Sequence, residues 1–200
     1  MARRTRRPDD EPPAVRAARD RERHIDQVTS YGFLAGRGPK RSVTVTPAPL
    51  RYWQYTLVSP AVAVTAVAAV VVWVVVLGLL SGWAAAREEL PLAVGLGVAV
   101  LVLATGRFTV SDHAVSSDIA GLRQTSSFGV VPLVLVEDVA VAPAPADWPR
   151  ARRRGGWWPG RTRVVVRHLH GDGAQDRAFS IWVRDAAALA EALDRPLDPA

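Results

Sequence analysis

Residues 57–80 contain no charged side chain, and that run limits the fold more than any other feature of this 200-residue chain. Valine, leucine and alanine dominate it. A helix over about 56–80 would rise roughly 37 Å, enough to cross a hydrocarbon core of about 30 Å with some tilt. An ordinary soluble domain is therefore not expected. Ser59-Pro60 supplies an N-cap followed by proline at the first helical position, where the missing N–H is harmless. Tyr52, Trp53 and Tyr55 before the run and Trp83 after it suit the aromatic belt of a bilayer.

A second apolar run over about 90–106 would rise roughly 25 Å as a helix, at the lower limit for a span. Glu88 and Glu89 before it and Arg107 after it suit a helix dipole at both ends. The short connection makes the two segments antiparallel neighbours, so 52–106 reads as a transmembrane hairpin. Small residues recur four apart: Ala61, Thr65 and Ala69 on the first segment, Ala93 and Gly97 or Gly95 and Ala99 on the second. Such spacing lets helix backbones approach closely in lipid. The rival account is a signal peptide cleaved at Ala84-Ala85-Ala86. Against it, the run is too long and more than fifty residues precede it.

Orientation follows from the arginines. Residues 1–51 carry twelve basic and six acidic groups, the connecting stretch only Arg87, Glu88 and Glu89, and residues 107–200 twelve basic and eleven acidic groups. The positive-inside rule places both termini in the cytoplasm. Residues 1–51 lack the apolar surface to offset ordering entropy and read as a disordered basic tail, with a weak helical stretch near 14–28 and a short strand at 42–46. The cluster Arg3, Arg4, Arg6 and Arg7 reads first as a topology determinant, then as a lipid contact. Nucleic acid ranks last there, because no aromatic residues interleave the arginines. With no cysteine in the chain, disulfides and thiolate metal sites are excluded.

After Arg107 the hydrophobic period becomes strand-like. Strands are expected at 107–111, 115–117, 122–126, 130–136 with a further run to Val141, 161–170 and 177–183, the last two joined by the turn Gly171-Asp172-Gly173. Asp185 is the expected N-cap of a terminal helix whose stripe is Ala186, Leu189, Ala190 and Leu193, stopped by Arg195-Pro196. The fold class is thus an α+β membrane protein: disordered basic tail, two-helix transmembrane hairpin, and a small antiparallel β domain over 107–200 closed by a C-terminal helix.

Several segments carry a family resemblance: Arg107-Phe-Thr-Val-Ser-Asp, Val131-Pro-Leu-Val-Leu-Val-Glu-Asp-Val139, and Gly155-Gly156-Trp157 leading into Arg163-Val-Val-Val166. Over roughly 52–195 the chain resembles small bacterial membrane proteins in which two transmembrane helices precede a bacterial pleckstrin-homology-like (PH-like) domain. It departs from them with His113-Ala114 where a glycine turn would stand. The resemblance implies a fold and a location, and no catalytic activity.

The candidate site is the stretch 148–163. It holds Arg150, Arg152, Arg153, Arg154, Arg161 and Arg163, interleaved with Trp148, Trp157 and Trp158, and no acidic residue. Its prolines and glycines read as a loop. Arginine pairs bidentately with phosphate and tryptophan prefers the head-group level, so the stretch points to anionic lipid or a protein partner. His168 and His170 share one strand face but lack a third ligand, and read as exposed strand residues with no metal. No nucleophile elbow or phosphate loop is present, so no enzyme, cofactor or small-molecule substrate is expected. The leading expectation is a membrane-anchored, non-catalytic domain that engages the inner-leaflet surface and positions or regulates an envelope process. The alternative is an accessory subunit of a larger membrane complex. A transporter component is disfavoured, because the apolar runs carry no ionisable residue.

Overall fold

Ser59 and Pro60 act as their spacing predicts. In the computed structural model, which describes residues 12–33, 47–119, 129–157, 159–170 and 175–198, the Ser59 hydroxyl accepts from the Val62 N–H at 3.4 Å. Helix α2 (Pro60–Ser81) follows. The cluster at Arg3, Arg4, Arg6 and Arg7, the strands expected at 42–46 and 122–126, Trp158 and the 171–173 turn lie outside the described residues.

Gly82, at φ 87°, is the whole connection to helix α3 (Trp83–Leu103). This is a correction. The segments 56–80 and 90–106 become helices over 60–81 and 83–103, and the expected outer loop is the first two turns of α3. The two helices are antiparallel: Gly78 lies against Trp83, and a Cβ on Gly97 would sit 2.8 Å from the Val70 methyl. Ala93 is buried at this seam, whereas Ala61, Thr65, Ala69 and Ala99 are exposed and Gly95 faces open space. Only the α3 stripe therefore packs within the hairpin.

Helix α2 is long and apolar enough to cross a membrane, and nearly all of it is exposed. Among the described residues it is the one helix that qualifies. Helix α3 carries Arg87, Glu88 and Glu89 within its first turns and Pro91 beyond them. Its uncharged part, 90–103, rises only about 21 Å.

The aromatic residues before α2 are not simply a belt. Tyr52, Trp53 and Tyr55 belong to strand β1 (Tyr52–Thr56), which pairs antiparallel with β2 (Gly106–Val110). The chain leaves the β domain through β1, makes the hairpin, and re-enters through the adjacent strand. Strand β2 pairs with β3 (Ala114–Ile119), and β3 with β4 (Val131–Pro132). The run expected as one strand at 130–136 breaks at Pro132 into a 3-10 turn over Leu133–Leu135, then resumes as β5 (Val136–Val141). The second sheet holds β6 (Arg152–Arg154), β7 (Thr162–Leu169), β8 (Asp176–Val183) and β9 (Leu197–Asp198) in the order β6-β8-β7-β5-β9. The expectation of an antiparallel domain needs correction here, because β6 runs parallel to β8 and β9 parallel to β5.

The core lies between the sheets, where Phe108, Val110, Val115, Val139, Val164, Val166, Phe179 and Ile181 are fully buried. Helix α4 (Ala186–Ala192) closes one end with Leu189, Ala190 and Leu193, and Asp185 caps it by accepting from the Ala188 N–H at 3.0 Å.

The helical stretch expected near 14–28 is present, but it is docked on the β domain rather than part of a disordered tail. Residues 13–30 form helix α1 (Pro13–Ser30), with Ala17, His24, Gln27 and Val28 buried. Its apolar surface is small. Polar ties hold it instead: His24 Nδ1 lies 2.7 Å from the Ser111 hydroxyl, Gln27 donates to the Ala48 carbonyl at 2.8 Å, and Arg107 donates to the carbonyls of Tyr31 and Gly32 at 3.1 and 2.9 Å. His24 is 1% exposed, and its Nε2 has no partner among the described residues. Burial, then His113 and Arg107, pushes its pKa down to about 4. A histidine whose pKa is lowered on folding stabilises the fold above its unfolded value near 6.5. That contribution falls away as pH drops from 6.5 and is exhausted near 4. Acidification across this window is expected to weaken α1 docking by about 3 kcal/mol, read as faster amide exchange in α1. His24→Gln should flatten the dependence; an unchanged slope would remove His24 as its cause.

Candidate functional site

Strand β6 is short because Gly155, at φ 75°, turns the chain after three residues. Gly156 then donates to the Leu57 carbonyl at 2.9 Å, and any Cβ there would run into the Val58 carbonyl oxygen. The missing side chain lets this segment lie directly on the chain entering α2. The described part of the basic stretch is largely the loop expected, with the short strand β6 inside it, and Gly156 ties it as a strap to the base of the hairpin.

Beneath it lies a cavity of about 680 Å³. Leu57, Val58 and Ser59 just before α2, Val62 in its first turn, and Ala104 just after α3 are among its lining residues, with apolar residues of the β domain. Its polar side carries five arginines (Arg21, Arg152, Arg153, Arg154 and Arg177) with His168 and His170, and no lining residue is acidic. Arg154 is half-buried, with its guanidinium carbon 4.1 Å from the centre of the Phe179 ring. One of its terminal nitrogens donates to the Gly129 carbonyl at 2.8 Å. Burial, with the nearby Arg152 charge, pushes its pKa down to about 10. His168 is buried, not exposed as expected, and its ring sits 5.8 Å from that of Phe179. Burial leads the causes that lower its pKa, and Arg154, Arg177 and His170 add to it. His170 is exposed and lies just past the end of β7.

The structure divides the predicted residues. Arg152 and Arg153 are exposed at the cavity, and Arg154 lies inside it. Trp157 follows directly and is 58% exposed. Arg150 is exposed and Trp148 half-buried in the preceding turn; neither lines the cavity. Arg161 and Arg163 serve the fold. Arg161 donates to the Tyr55 carbonyl at 2.9 Å, and Arg163 to the Ser180 hydroxyl at 3.2 Å. Burial and Arg184 hold the Arg161 pKa below its usual value.

Sequence reasoning missed Arg21, Arg177 and His168 as members of the site. Arg21 was unreadable because α1 reads as tail. Arg177 and His168 face each other across the β7–β8 register, which alternation could have suggested. No group of three or more histidine or acidic residues able to hold a metal occurs among the described residues. No protein-family model matches this chain, and no curated protein or solved structure is significantly similar to it.

Proposed function

We propose that this chain is a membrane-anchored, non-catalytic protein whose β domain engages anionic lipid at the inner-leaflet surface and positions or regulates an envelope process. The observation that carries this reading is the cation-lined cavity sharing walls with the first turn of α2 and the last residues of α3. In this proposal the hairpin sits in the bilayer with Arg87, Glu88 and Glu89 at the far head-group level, and the termini lie on the cytoplasmic side. Gly155, Gly156 and Thr56 then hold β6 and Trp157 at the near surface. Each basic side chain close to an anionic leaflet contributes about 1 kcal/mol, and tethering removes most of the cost of encounter. Two sheets closed by α4 support the PH-like reading as the fold-level part of the same proposal.

The test uses the full chain, because β1 and α1 lie outside residues 107–200 and complete the first sheet and its cover. Amide exchange is measured in nanodiscs of phosphatidylcholine alone or with added phosphatidylglycerol. Exchange across 150–157 is expected to slow by about tenfold or more with anionic lipid, and to recover in high salt. Identical exchange in both lipids would rule out anionic surface engagement and favour a protein partner for this face.

A further inference from the structure

Three arginines in and around this domain pair with carboxylates. Arg167 is within 4 Å of Glu137, Asp138 and Asp176, Arg51 pairs with Asp112 and Asp194, and Arg107 with Asp118. The arginines of the cavity differ from these three. Among the described residues no carboxylate pairs with Arg152, Arg154 or Arg177, although Arg154 is half-buried and held by Phe179 and Gly129. Desolvating a cation without a counter-charge is costly, and like charges gathered in one cavity add to that cost. A bound anion would remove both.

Part of the lining is apolar and belongs to the helix ends. Val62 and Ala104 line the cavity where α2 and α3 meet the domain, and Val62 is 38% exposed. A soluble anion would leave that part unused. The volume of about 680 Å³ falls in the usual range for a small-molecule site.

We propose that the cavity binds one phosphate-bearing amphiphile, its phosphate held by Arg152, Arg154 and Arg177 and its hydrocarbon leaving past Val62 and Ala104 into the bilayer. This deepens the surface reading above and rests on the same face of the molecule. It adds a stoichiometric lipid site to a diffuse charge contact. Guanidinium groups pair with phosphate oxygens two at a time, so a phosphate monoester, which carries more charge than a diester, is the preferred head group. Burial is the main cause that lowers the Arg154 and His168 pKa values, and the neighbouring cations that add to it make the field such a dianion would neutralise.

The experiment is native mass spectrometry of the full chain released from non-ionic detergent, with dioctanoyl phosphatidic acid, dioctanoyl phosphatidylcholine or glycerol 3-phosphate added. One phosphatidic acid per chain is expected, bound about tenfold or more tighter than either comparison ligand. Arg177→Gln, at an exposed position, should weaken it about tenfold, as should Arg154→Met. Val62→Trp should weaken the lipid while leaving glycerol 3-phosphate unchanged. Arg184→Gln, outside the cavity, should change nothing. Equal binding of phosphatidic acid and phosphatidylcholine would overturn the assignment, as would indifference to Arg177→Gln and Val62→Trp. Glycerol 3-phosphate binding as tightly as phosphatidic acid would mean a soluble phosphate ester and also overturn it. Anionic protection in nanodiscs without a one-to-one complex would leave surface engagement standing and the cavity site refuted. The converse result would separate the two the other way.

Discussion

Replacing Arg107 with methionine is expected to destabilise the domain by about 3–5 kcal/mol, measured as a shift in the urea midpoint of the full chain in detergent. Arg107 is 6% exposed and donates to the Asp118 carboxylate at 3.2 Å, as well as to the backbone carbonyls that end α1. Its guanidinium also lies 5.4 Å from the Phe33 ring centre. Burial already raises the Asp118 pKa against the pull of Arg107. Methionine keeps the volume but leaves a buried carboxylate without its counter-charge and two carbonyls without a donor. The loss should shrink as pH falls, because protonation of Asp118 removes the stranded charge. Adding Asp118→Asn to the variant should restore part of the stability at neutral pH. A loss under about 1 kcal/mol would mean that Arg107 is not the tie between α1 and the sheet.

Gly156→Val is expected to cost about 3 kcal/mol and to abolish anionic protection of residues 150–157. The reason is steric and local: the first carbon of any side chain would collide with the Val58 carbonyl, and the hydrogen bond to Leu57 would open. Both partners are backbone, so neither can move aside as a flexible side chain would. The strap carrying Arg152–Arg154 must then lift from the hairpin base. Gly160→Ala is the control: Gly160 has a positive φ, at 72°, and open space around it. It should lower stability through backbone strain while leaving the lipid response intact. If Gly156→Val retained full anionic protection, the attachment of the strap to the hairpin would not matter for the site.

Much of the β domain was legible in the sequence. The strands at 107–111, 161–170 and 177–183 stand out as short apolar runs, and Asp185 and Arg195-Pro196 bound the last helix. The errors share a physical cause, which is that local pattern does not report tertiary partners. Tyr52, Trp53 and Tyr55 have the composition of a bilayer belt, and only pairing with β2 makes them a strand. Helix α1 has too few apolar residues to predict its docking, and buried polar ties supply what its hydrophobic face lacks. Arg87, Glu88 and Glu89 read as a loop because charge usually marks one. Gly82 alone makes the turn and leaves them inside α3. The basic stretch was found from composition. Its division into cavity arginines and structural arginines depends on what lies across from each, which sequence order does not give.

The central claim is that the hairpin enters a bilayer and holds the cationic cavity at its surface. Depth measurement by spin labels tests this most directly, and the cysteine-free chain makes single-site labelling simple. Labels would be placed by Val72→Cys on α2, Arg153→Cys on the strap and Glu191→Cys on α4, at positions that are all exposed. In anionic bilayers the account predicts Val72 in the hydrocarbon, Arg153 at the head groups and Glu191 in water. A Val72 label open to aqueous quencher, or an Arg153 label as water-accessible as that at Glu191, would contradict it.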